Sequence, residues 1–147
     1  VNKAFVRESD STEVRCPRCG AIGEEALRAA VESLTTAESR RSLAATAFFC
    51  PTPVCEVAYF DTMEATVMVA SLVHPLYPKD PDAPLCPCFG LRYEDVVEEA
   101  SQSVPVKIRE LNRRSKTDEA RCHELSPTGR CCLPEVQRLY FKLRGGV

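Results

Sequence analysis

Histidine is scarce in this chain. Its 147 residues contain only two, His74 and His123. Mixed ligation of an iron centre by cysteine and histidine needs two histidines on one iron. His123 follows Cys122 directly, but His74 lies in a proline-rich stretch, so the pair does not suit that chemistry. Long apolar runs are also missing. Nothing approaches the roughly 18 consecutive apolar residues that cross a bilayer, and the opening VNKAFVRESD holds no apolar leader. The expectation is a soluble, cytoplasmic protein with no membrane partner. Catalytic patterns are lacking too: there is no Ser/His/Asp triad, phosphate-cradling loop or paired-carboxylate arrangement, so the chain does not read as an enzyme. No internal repeat or low-complexity segment is apparent. An excess of positive charge is absent, the formal net charge being −2. Nonspecific nucleic-acid binding relies on basic surface, so no nucleic-acid partner is expected.

The charge is unevenly spread. Residues 1–104 carry 9 Lys and Arg against 16 Asp and Glu, whereas residues 105–147 carry 10 against 5. The basic run around Arg113–Lys116 reads first as a solvated helix face and second as a docking surface for an acidic redox partner.

Cysteine is abundant, with 9 in the chain. A disulfide framework belongs to secreted chains, so metal binding is the preferred reading. Cys16 and Cys19 in CPRCG, with Cys50 and Cys55 in FFCPTPVC, make one set of four. Two close thiol pairs separated by about thirty residues suit a closed tetrahedral zinc shell. Gly20 is placed to take positive φ beside the metal. Cys86 and Cys88 in CPCFG, Cys122, and one of Cys131 or Cys132 make a second set. Its C-x-C spacing is not that of a zinc ribbon, and it suits thiolates around a [2Fe-2S] cluster. One thiol is left over.

The expected architecture is α+β, with a small zinc-binding αβ lobe followed by a helical cluster-binding lobe. Residues 1–13 are polar and aperiodic and read as a tail. Residues 14–73 form the zinc lobe, with a helix from Glu24 marked by Leu27, Ala30, Val31 and Leu34. A second short helix is expected over Thr36–Leu43. Strands are expected at AFFC, CEVAYF and Ala65–Val69, with Phe48, Phe49, Tyr59 and Phe60 as core. Residues 74–85 contain four prolines and read as an extended linker. Residues 86–147 form the helical lobe. Tyr93, Val96, Val97, Ala100 and Val104 mark its first helix, Val104, Ile108 and Leu111 its second, and Leu133 to Leu143 its last. The linker implies two lobes that behave independently.

Motif by motif, the chain resembles the N-terminal domain of CopZ-type copper chaperones, which carry zinc and a [2Fe-2S] cluster. CPCFG, the helix pair and C-H-E-L-S-P-T-G-R-C-C-L carry the resemblance in the second half; CPRCG and FFCPTPVCEVAYF carry it in the first. It covers about residues 14–143. The cluster half is also similar to bacterioferritin-associated ferredoxin. The resemblance implies zinc ligands Cys16, Cys19, Cys50 and Cys55, and cluster ligands Cys86, Cys88, Cys122 and Cys132. It leaves Cys131 as the free thiol. It further implies an electron carrier serving copper handling, either by reducing Cu(II) to Cu(I) or by passing electrons to a redox partner protein. Such a partner could be a copper-handling protein or a C-terminal copper-binding domain. The family's M-x-C-x-x-C copper loop does not occur in these residues, so copper delivery is not carried over. The competing readings are a non-redox zinc-binding interaction module and an iron–sulfur redox sensor.

Overall fold

The computed structural model describes residues 13–145, so the expected tail, apart from Glu13, lies outside the described residues. The architecture is mixed α and β. An antiparallel meander of four strands runs in sequence order: β1 (Glu24–Ala26), β2 (Ala47–Phe49), β3 (Val57–Phe60) and β4 (Thr66–Met68). Helix α1 (Arg28–Leu34) sits between the first two strands. A single turn of 3-10 helix, Val69–Ser71, follows the last. The remaining helices come afterwards: α2 (Tyr93–Ala100), α3 (Val106–Arg114), α4 (Cys122–Leu125) and α5 (Leu133–Gly145).

Strand β3, VAYF, is buried along its whole length. β-Branched and aromatic side chains suit such a two-sided position. Tyr59 joins Val31, Leu34, Phe49 and Val67 in one core cluster, while Phe60 and Val57 pack against Cys16, Cys50 and Cys55 in another. The aromatic expectation for the zinc lobe therefore holds. The second half has its own cluster, in which Val96, Ile108, Leu111, Val136 and Tyr140 surround Cys86 and Cys132.

Three expectations need correction. The helix read from Glu24 begins only at Arg28, because Glu24–Ala26 pairs as a strand with Ala47–Phe49. The apolar period of three and four starts at Leu27, and the two glutamates before it carried no helical information of their own. Thr36–Leu43 forms turns rather than a helix. There the Thr36 amide donates to Ser39 Oγ at 3.1 Å and the Ser39 amide donates to Thr36 Oγ at 3.1 Å. Short hydroxyl side chains compete for the backbone in this way and favour turns over helix interiors.

The third concerns residues 74–85, which are packed rather than free. Leu76 belongs to the zinc-lobe core and Ala83 is buried. Lys79 Nζ donates to the carbonyls of Thr52 at 2.6 Å and Cys55 at 3.1 Å. The lobes also touch directly. The Leu27 amide donates to the Thr128 carbonyl at 2.9 Å, the Tyr59 hydroxyl donates to the Pro127 carbonyl, and Arg130 donates to the Glu25 carbonyl at 3.3 Å. Among the described residues no helix is long and apolar enough to cross a membrane.

Candidate metal centres

The first centre is assembled by two loops. The Cys16–Gly20 turn is closed by the Gly20 amide on the Cys16 carbonyl at 2.9 Å, and the Cys16 amide reaches the Ala21 carbonyl at 2.8 Å. Gly20 has φ of +80°, a value that a side chain disfavours. The Cys50–Cys55 loop joins β2 to β3, with the Cys55 amide on the Thr52 carbonyl at 3.2 Å. Together the loops bring the sulfurs of Cys16, Cys19, Cys50 and Cys55 within 4.8 Å of one another, and among the described residues this is the one such group of three or more His, Cys, Asp or Glu ligand atoms. The closest approaches are 3.8 Å for Cys16 and Cys55, and 3.5 Å for Cys19 and Cys50. Four sulfurs each about 2.3 Å from a central zinc stand about 3.8 Å apart along a tetrahedral edge. Two separations stand close to that edge and none exceeds 4.8 Å, so the four thiols suit a zinc ion.

The surroundings of these sulfurs differ. Hydrogen bonds from the Thr52 side chain and then the Ala21 amide lower the Cys19 thiol to about 6. Burial pushes Cys50 up to about 12, and burial also raises Cys55. Thiols so enclosed keep their protons until a cation displaces them, which makes metal binding proton-coupled. Amides of Thr52 and Val57 aim at Cys50 and Cys55. Lys79 holds two carbonyls of the same loop, and its charge opposes the rise at Cys50. Lys79 and Thr52 were not legible as site residues, because nothing in their local sequence marks them.

The second centre lies where the Cys86–Leu91 turn meets α4 and the start of α5. Cys86 is fully buried, Cys132 is buried, Cys88 and Cys122 are half-buried, and Cys131 is exposed. Cys88 and Cys122 sulfurs stand 3.5 Å apart. Cys86 interacts with the thiols of both Cys132 and Cys88. Among the described residues no three of these sulfurs lie within 4.8 Å of one another, so the four neighbouring thiols do not gather around one point as the first set does. Contact with Cys132, and burial besides, pushes Cys86 up to about 12. Contact with Cys86, followed by burial, raises Cys88, and burial raises Cys122 to about 12.

Backbone amides are directed at these thiols as well. The Arg121 amide donates to Cys88 Sγ at 3.3 Å. The Phe89 and Cys132 amides interact with the Cys86 and Cys122 sulfurs. Cys132 also opens the last helix, its carbonyl accepting the Glu135 and Val136 amides at 3.1 and 3.0 Å. It stands at the positive end of that helix's dipole. His123 is exposed and faces Glu124 at 3.6 Å.

Comparison with known proteins agrees with the first centre. No curated protein sequence matches the chain. Residues 13–73 match the CopZ-type family described as a zinc binding domain. Among solved structures, the X-ray structure of the Archaeoglobus fulgidus CopZ N-terminal domain is similar, with 25% sequence identity and a TM-score of 0.66. The match covers 86% of this chain and 97% of that one. Residues 13–73 thus carry the features of a CopZ-type zinc-binding domain, with Cys16, Cys19, Cys50 and Cys55 as its four-thiol site, in a chain whose fold is similar to the CopZ N-terminal domain.

Proposed function

We propose that this protein is a small electron carrier with a structural zinc site and a [2Fe-2S] cluster, serving metal handling. The observation that carries the reading is the group of four neighbouring thiols at the second centre, served by three directed amides. Iron in such clusters is bound by four cysteine thiolates, and hydrogen bonds to sulfur help set the reduction potential. The donor set is therefore chemically suited to the group. Cys86, Cys88, Cys122 and Cys132 would hold it, and the cluster would supply reversible one-electron chemistry. The residues around it perform the supporting work. Amides of Arg121, Phe89 and Cys132 favour negative charge on sulfur. The core of α2, α3 and α5 shields Cys86 and Cys132, while Cys88 and Cys122 form the edge open to a partner.

A role in copper handling gives this electron a physical purpose. Soft thiolate sites select Cu(I), so Cu(II) must gain one electron before such a site takes it. The reduced carrier would donate that electron to Cu(II), and a redox partner protein would restore it. Similarity to the CopZ N-terminal domain supports this direction.

Anaerobic purification followed by metal analysis and spectroscopy tests the reading. About one zinc, two irons and two acid-labile sulfides per chain are expected, with a reversible paramagnetic signal on reduction. A colourless chain holding about two zincs after iron and sulfide reconstitution refutes it in favour of a non-redox binding module. A cluster that forms but collapses on its first oxidation identifies a sensor instead.

A further inference from the structure

The two metal-binding turns share one backbone. In the first, the Cys16 amide donates to the Ala21 carbonyl five residues on, and the Gly20 amide returns to the Cys16 carbonyl. In the second, the Cys86 amide donates to the Leu91 carbonyl at 3.1 Å, again five residues on, and the Gly90 amide returns to the Cys86 carbonyl at 2.7 Å. Gly20 has φ of +80° and Gly90 of +77°. Both turns begin Cys-Pro, and both first cysteines are buried, Cys16 at 2% exposure and Cys86 at 0%. Antiparallel bridges close both, between Arg15 and Ile22 and between Cys86 and Leu91.

The difference is the position of the second cysteine. CPRCG places it fourth, at Cys19. CPCFG places it third, at Cys88, and gives the fourth position to Phe89, whose ring lies under the Arg114 guanidinium at 4.4 Å. Neighbouring residues in a turn project their side chains in different directions. A cysteine one place earlier therefore offers its thiol to partners from a different point of the turn, Cys88 meeting Cys122 at 3.5 Å where Cys19 meets Cys50 at 3.5 Å. The outcome is visible in the sulfurs. Those of the first set all lie within 4.8 Å, whereas among the described residues no three of the second set do so.

We infer that CPRCG and CPCFG are the same metal-binding turn in two registers, and that moving the second cysteine from fourth to third position makes the second centre reject a single tetrahedral ion and accept an elongated two-iron cluster. This inference rests on the cluster reading above for its second half. Its first half concerns thiol geometry alone. Cys88 and Phe89 are then the positions that determine which metal group the turn takes.

The test uses the full chain and Co(II), whose tetrathiolate complexes are coloured. Wild-type apoprotein titrated anaerobically with Co(II), without sulfide, should form about one tetrathiolate site per chain, filled at the tetrahedral first centre. The exchange variant Cys88→Phe with Phe89→Cys should form about two, and should lose acid-labile sulfide after reconstitution with iron and sulfide. Two tetrathiolate cobalt sites in the wild type overturn the inference, as does an exchange variant that keeps the wild-type cluster spectrum. If the exchange variant fails to fold, shown by its circular dichroism, the wild-type cobalt stoichiometry still decides the geometric half. A wild-type chain that forms no cluster from iron and sulfide but takes up about one cobalt refutes the cluster reading while leaving the register difference in place.

Discussion

Gly129→Ala puts the contact between the two lobes under direct strain. Gly129 stands in the SPTGRCC segment, three residues before Cys132, with φ of +82°. A methyl group there would meet Leu27 at 2.9 Å from Cβ and 3.0 Å from Cδ1. Two costs follow. A side chain in the left-handed region loses about 1–2 kcal/mol, and overpacking against a neighbour with little room loses about 1–3 kcal/mol. Some of the second is relieved if the loop backs away from Leu27, so a total near 2–4 kcal/mol is expected. Backing away has a structural consequence. The Leu27–Thr128 and Tyr59–Pro127 hydrogen bonds hold this loop on the zinc lobe, and Cys132 lies at its end. Urea denaturation should show the midpoint falling, zinc content should stay at wild type, and the visible circular dichroism of the reconstituted cluster should change. A variant within about 0.5 kcal/mol of wild type, the usual range for neutral surface changes, would show that the loop does not bear on Leu27, and the coupling between lobes would be refuted.

Further outcomes follow from the same geometry. Cys16→Ser or Cys50→Ser should abolish zinc binding, which is worth on the order of 10 kcal/mol in small zinc peptides; because the lobes touch, the cluster spectrum should weaken too, and full zinc content in both variants refutes the ligand set. Cys132→Ser should lose the cluster absorption while Cys131→Ser keeps it, and the reverse identifies Cys131 as the ligand. Glu99 is buried and accepts the Lys107 and Ile108 amides at 2.9 and 3.0 Å, capping α3 from the preceding helix; Glu99→Ala should cost about 1–3 kcal/mol in chemical denaturation, since the buried Ile108 amide and the part-buried Lys107 amide lose their acceptor. The Arg92 amide, then Lys107, holds the Asp95 carboxyl below its usual range. A depressed carboxyl stabilises the fold above its unfolded value near pH 4 and loses that contribution as pH falls through the folded value, so Asp95→Asn should flatten the acid limb of a stability–pH profile.

Cysteine spacing alone singled out two sets of four thiols, and the zinc-binding domain matched over residues 13–73 agrees with the first of them. Strands β2 to β4 were legible from aromatic and β-branched runs, and the last three long helices from apolar spacing. Local pattern could not reveal β1, since Glu24–Ala26 becomes a strand only by pairing with Ala47–Phe49 more than twenty residues away. The same holds for the proline-rich segment. Its composition says extended, but Leu76 and Lys79 bind the zinc lobe through partners that sequence does not place beside them. The likeness of the two Cys-Pro turns was also hidden, because CPRCG and CPCFG differ in the residues that catch the eye and agree in hydrogen bonds. Sequence specifies which atoms are available to a metal. Only the folded backbone decides whether four sulfurs gather within 4.8 Å of one another or stay spread, since that depends on where each turn aims its side chains.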